Sequence, residues 1–190
     1  MINLAELGQP SNLIFQEGTE NMGGFGSIAY LGLRSHINSY PTESTDHSNI
    51  ENLAKLVGSY GFNLGKQFIK MDCIPTTVGA NSESQGEYVG SQSFKPKGVY
   101  MISGTGAQVR GYARLLNNSY GVVILTNDNG ERIAYGTEQR PARFKSTVME
   151  GEKPSDAKAL KVEFETDSFV PGYIYEGDIV LDGIILPGVS

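Results

Sequence analysis

The stretch from Gly104 to Thr137, GTGAQVRGYARLLNNSYGVVILTNDNGERIAYGT, constrains the chain most, because a helix signal and a hairpin signal stand in it side by side. Val109, Tyr112, Ala113 and Leu116 recur at i, i+3, i+4 and i+7, so they share one helical face, with Arg110 and Arg114 beside the stripe. These four residues are the expected core face of a short amphipathic helix. Thr105 is placed to act as its N-cap, and Asn117-Asn118-Ser119 supplies a stop that tolerates left-handed backbone, so the helix should end near Leu116. From Tyr120 to Thr126 the pattern changes to a continuous β-branched run. Asn127-Asp128-Asn129-Gly130 and Arg132-Ile133-Ala134-Tyr135 follow, which predicts a hairpin closed by an Asn-Gly turn. One helix is thus expected to lie against a sheet.

The rest of the chain favours strands. Ser27 to Leu33 is a strand candidate with apolar residues on both faces, so both faces should be covered. Ile50 to Val57 has apolar positions 50, 53, 54 and 57, which predicts one or two exposed helical turns. Lys66 to Cys73 alternates, with Ile69, Met71 and Cys73 inward and Lys70 and Asp72 outward, and Pro75 ends it. Glu83 to Phe94 reads as a strand broken by glycine, SFKPKG as a loop, and Val99 to Ile102 as an apolar segment. Ala142 to Met149 and Leu160 to Thr166 alternate cleanly. Phe144, Ser146 and Val148 oppose Arg143, Lys145 and Thr147 in the first, and Leu160, Val162 and Phe164 oppose Lys161, Glu163 and Glu165 in the second. The acidic segment Glu150 to Asp156 joins them, and Tyr173 to Tyr175 with Ile179 to Leu186 closes the chain. The expected architecture is mainly β, a β-sandwich or squashed barrel with one principal flanking α-helix. Residues 1–26, which lack periodicity, form an expected arm or interface segment ahead of a single domain over 27–190.

Composition narrows the function. At 190 residues the chain suits one domain, and a domain of this size buries roughly 70% of the surface its unfolded chain exposes. One cysteine excludes an intrachain disulfide, and with two histidines it is too few for a structural zinc site. A net charge of -6 argues against a general attraction to phosphates or anionic membranes. No basic, apolar N-terminal signal and no membrane-spanning run is seen, so synthesis in a cytoplasm is expected.

Candidate chemical motifs weaken when their context is read. Gly24-x-Gly26-x-x-Ala29 matches a dinucleotide fingerprint, but that motif must follow a strand and open a helix, and here coil precedes it and a strand follows. Gly104-Thr105-Gly106 precedes a helix yet lacks the Gly-Lys-Ser/Thr of a phosphate loop. Asp46-His47 with Cys73, the pair Glu163 and Glu165, and Asp178 with Asp182 read better as structural or solvated residues than as nucleophilic or carboxylate machinery. No catalytic residue, cofactor or metal is expected.

The glycine-rich MGGFGSIAYLGL, the strand GKQFIKMDC, the central KGVYMISGTGAQVRGYARLLNNSYGVVILTNDNGERIAYGT, and RPARFKSTVMEG with KALKVEFET occur in an order that resembles the major tail (tail tube) proteins of tailed bacteriophages, in particular those of Bacteroidetes-type hosts. The likeness covers most of Asn21 to Tyr175. It implies a virion protein with no enzymatic activity, whose hexameric rings stack into a tube that conducts DNA. The partners it implies are further copies of the chain and other tail proteins, with DNA passing without specific binding and no membrane anchor. Outward carboxylates are then candidates for an acidic lumen wall, chiefly Glu163 and Glu165, with Asp72 next. Arg143 and Lys145 would make that wall mixed if their strand lines the same surface. Other readings are a tail terminator or head-completion ring protein, a carbohydrate- or protein-binding β-sandwich module, and, more weakly, a hydrolase.

Overall fold

The structure, a computed structural model, describes residues 24–46, 48–151, 158–182 and 184–188. Most of the expected N-terminal arm, His47, and most of the acidic segment after Glu150 lie outside the described residues. The fold is mainly β, a β-sandwich with one flanking α-helix.

The hairpin read from Asn127 to Gly130 sits at its centre. Strands β9 (Tyr120–Asn127) and β10 (Arg132–Tyr135) pair antiparallel, with Ile133 opposite Leu125 and Tyr135 opposite Val123. The turn closes through Gly130 N-H to Asn127 O at 3.0 Å. Strand β1 (Phe25–Leu33) pairs with the other edge of β9, so two residues of the expected arm, Phe25 and Gly26, belong to the sheet. Beyond β10 the chain leaves β9 at Gly136, whose φ of 98° is open to glycine at little cost, and a turn bonds Thr137 N-H to Arg140 O at 3.0 Å. It rejoins β9 as β11 (Ala142–Met149), with Ala142 opposite Gly121. From there β11 turns away to pair with β12 (Ala159–Glu165), which pairs with β8 (Ser93–Ser103), which in turn pairs with β7 (Gly79–Gln85). On the far side β1 pairs with β6 (Ile69–Asp72). Just past β6, Ile74 N-H donates to Met101 O of β8 at 2.7 Å. Strands β6, β1, β9, β11, β12 and β8 therefore enclose a squashed barrel.

Alternation decides what fills it. Ala29, Leu31, Leu33, Val123 and Leu125 meet Phe144, Leu160, Val162, Phe164 and Tyr100 in the barrel core. Helix α1 (Ala107–Leu116) closes this core against β11 and β12, with Ala113 and Leu116 buried and Val109 and Tyr112 packed beside them. Full burial of Leu116 contributes roughly 1.5 to 3 kcal/mol. The opposite faces of β1 and β9 carry Tyr30, Val122 and Ile124 into a second core. There they meet strand β13 (Tyr173–Tyr175), the short ribbon of β2 (Ile37–Ser39) with β5 (Gly61–Phe62), and that of β14 (Ile179–Leu181) with β15 (Ile184–Leu186). Both faces of the Ser27 to Leu33 segment are covered, as its two apolar faces require.

Three local expectations need correction. The helix is capped by Gly106, not Thr105. Gly106 O takes the first helical bond from Arg110 N-H at 3.1 Å, and Thr105 O is engaged by Arg110 Nε at 3.0 Å. The apolar spacing of Ile50 to Val57 yields a 3-10 turn over Ile50–Ala54 followed by β4 (Lys55–Val57). Pairing of β4 with β13 and with β3 (Thr42–Glu43) makes Leu56, not Val57, the buried residue. Third, SFKPKG is not a loop but the first half of β8. A strand residue points its N-H and C=O the same way, and Pro96 O accepts from Thr166 N-H at 3.0 Å just beyond the end of β12. The missing proline donor therefore falls where the ladder is ending and costs a single bond.

Candidate functional site

The four-stranded sheet β11-β12-β8-β7 turns its inner side to the barrel core and its outer side to solvent. Register fixes which side chains share the outer side, since directly opposed residues point the same way. One row runs Asn81, Lys97, Glu165 and Arg143, and the next runs Gly79, Val99, Glu163 and Lys145. Glu83 and Lys95 stand opposite each other above the first row, and Lys161 lies below the second. These rows line a concave groove of about 940 Å³. On the core side beneath this face the Phe164 ring from the neighbouring strand packs against Gly98.

The expected lumen carboxylates Glu163 and Glu165 lie on this outer side, and so do Arg143 and Lys145, their direct cross-strand partners. The condition for a mixed surface is therefore met. Five cationic side chains, Lys95, Lys97, Lys161, Arg143 and Lys145, stand against three carboxylates, Glu83, Glu163 and Glu165, a surplus of two positive charges. Four of the five cations are in ion pairs. Glu163 takes Lys161 Nζ at 2.6 Å, Glu83 takes Lys97 Nζ at 3.8 Å, and Glu165 is bridged between Arg143 and Lys95, the latter at 3.8 Å. The hydrogen bond from Lys161 holds the Glu163 carboxyl below the usual carboxylate range, and that from Arg143 does the same for Glu165. Both are ionised at neutral pH. Exposed pairs of this kind contribute little to folding, so their main effect is on the charge the face presents.

Asp72 is not brought to this surface. It sits on β6 opposite Ile28, on the side of the sheet that carries the second core, and pairs with Lys70 at 3.1 Å.

The sheet ends at β7, which among the described residues pairs with β8 alone. Its sequence, GANSESQ, has one charge and neither lysine nor proline, the residues that usually blunt an edge strand. The loop that follows exposes Tyr88 at 73% and Val89 at 97% of their areas. At the opposite end, the outer half of β11 is closed by the helix stop, because Asn117 Oδ1 accepts from both Ser146 N-H and Ser146 Oγ at 2.8 Å. The edge β7 and the lysines at 95 and 97 were not singled out from sequence, whereas Lys161 is read there as outward beside Glu163. The alternation of Lys95 with Lys97 was the available signal, hidden by the proline between them.

Of Asp46, His47 and Cys73, only Asp46 and Cys73 are among the described residues. Cys73 is buried, its thiol donates to Met71 O at 3.6 Å, and desolvation pushes its pKa up to about 11, the reverse of an activated nucleophile. Asp178 bonds Gly188 N-H at 2.9 Å. Residues Phe25 and Gly26 of the dinucleotide-like motif are committed to β1. Among the described residues no cluster of histidine, cysteine and carboxylate groups fits a metal ion, and no helix is long and apolar enough to cross a membrane. Compared with known protein families, curated proteins and solved structures, the chain gives no match.

Proposed function

We propose that the protein is a structural subunit of the tail tube of a tailed bacteriophage. Copies join side by side into rings, hexameric as the sequence resemblance implies, and the rings stack into a tube through which DNA passes. The observation that carries this reading is the seven-residue edge β7, which among the described residues has no strand on its outer side, at the end of an antiparallel sheet whose outer face carries five cations and three carboxylates. A free edge adds a strand from another chain at roughly 0.5 to 1.5 kcal/mol net per hydrogen bond. The second copy that supplies the strand offers a different surface from β7, and a heterologous contact of this kind closes into a ring when the rotation permits. Tyr88 and Val89, exposed on the loop beside β7, supply apolar area for the same contacts.

The role is structural, without catalysis, cofactor or metal, and the protein resides in the virion tail after synthesis in the host cytoplasm. A tail terminator or head-completion ring is the alternative within the same class. Native mass spectrometry with negative-stain microscopy over a concentration series tests the proposal. Hexameric rings and tubes are expected, and a species that stays monomeric at every concentration overturns it.

A further inference from the structure

We propose that Glu163 and Glu165 are built-in counterions: they stand within a cationic ladder so that the outer face of the β11-β12-β8-β7 sheet passes duplex DNA without holding it. The inference rests on the tail tube reading for its ligand and deepens it by assigning these two residues a task. A wall that merely repels DNA would carry carboxylates without lysines, and a wall that binds it would carry lysines without carboxylates. This face carries both, in register.

Glu165 has Lys97 directly opposite on β8 and Arg143 directly opposite on β11, and Glu163 has Lys145 opposite on β11 with Lys161 beside it. Adjacent strands lie about 4.8 Å apart. Each carboxylate is thus closer to its cations than the roughly 8 Å over which physiological salt screens a charge. Salt at that strength leaves the masking in place. Without the two carboxylates the surplus on the face rises from two positive charges to four, since only Glu83 remains against the five cations. DNA affinity grows steeply with such a change, because every phosphate neutralised releases counterions.

The test uses the full-length protein and a fluorescent DNA duplex of about 30 base pairs, titrated at several salt concentrations from about 50 mM upward. The double variant Glu163→Gln/Glu165→Gln keeps the shape of the side chains and removes their charge. It is expected to bind at least about tenfold tighter than wild type at the lowest salt, with the slope of log K against log salt steeper by about 2. Glu51→Gln/Glu131→Gln changes net charge equally at sites off this face and should gain nothing. Adding Lys97→Gln and Lys145→Gln to the first double variant should return affinity to the wild-type level. The proposal is overturned if the folded double variant, checked by its melting curve, binds no better than wild type. It is equally overturned if the distant control gains as much. Ring formation is scored separately by microscopy, so a protein that unmasks as expected but forms no rings would sink the tube reading and leave the masking intact.

Discussion

Gly98 offers the sharpest test of how the charged face is supported. A Cβ built there would overlap two atoms of the Phe164 ring and lie 2.8 Å from Gly79 O. Carbon atoms rest at about 3.5 to 4.0 Å, so the overlap must be relieved by movement. The ring has little room, being 2% exposed and packed against Tyr135 with centroids 5.2 Å apart. The carbonyl belongs to the backbone of β7. Gly98→Ala therefore overpacks the site at a typical cost of about 1 to 3 kcal/mol. Against this, alanine lowers the entropy of the unfolded chain and returns about 0.4 to 1 kcal/mol. At the middle of both ranges overpacking wins, and a net loss of roughly 1.3 kcal/mol is expected from these two terms. Gly79→Ala is the matched control, since its Cβ would meet nothing within 4 Å and only the entropic gain remains. Urea unfolding should give a lower midpoint for Gly98→Ala and an equal or higher one for Gly79→Ala, at unchanged slope. The reverse order would refute the packing of Phe164 over Gly98.

Leu116→Asp places a carboxylate in a fully buried position and should cost several kcal/mol, whereas Arg114→Asp on the exposed flank should cost little; equal thermal destabilisation would mean the helix faces are misassigned. Tyr100 is buried and its hydroxyl has no hydrogen-bond partner among the described residues, so Tyr100→Phe should leave stability unchanged or raise it by about 1 kcal/mol, measured by denaturant titration. The Cys73 thiol, buried with its pKa raised to about 11, should resist a disulfide reagent at mildly alkaline pH in the folded protein. It should react at once in denaturant, and rapid native labelling would contradict its placement.

What was legible in the sequence followed from local rules. The turn at Asn127 to Gly130 is set by backbone conformation, and Val109 to Leu116 and Leu160 to Glu165 declare their faces by period alone. What was hidden depended on pairing between distant segments. Pro96 looks like a loop residue until Thr166 is seen opposite it, and GANSESQ shows no apolar alternation because only Ala80 of its inner side packs against the core. The candidate site suffered the same limit. Glu163 and Glu165 were recognisable as outward carboxylates, but only the register of β11 against β12 sets Lys145 and Arg143 opposite them and turns an expected acidic wall into a mixed one.

The central claim is that β7 is completed by a second copy of the chain while the Glu163 and Glu165 face lines a bore. Cryo-electron microscopy of the assembled protein tests it most directly, at a resolution that follows strands. The account predicts β7 hydrogen-bonded to a neighbouring copy, with both glutamates and their cationic partners facing the axis of a ring. Assemblies in which the β7 edge remains open to solvent, or in which Glu163 and Glu165 lie on the outer wall, would contradict it.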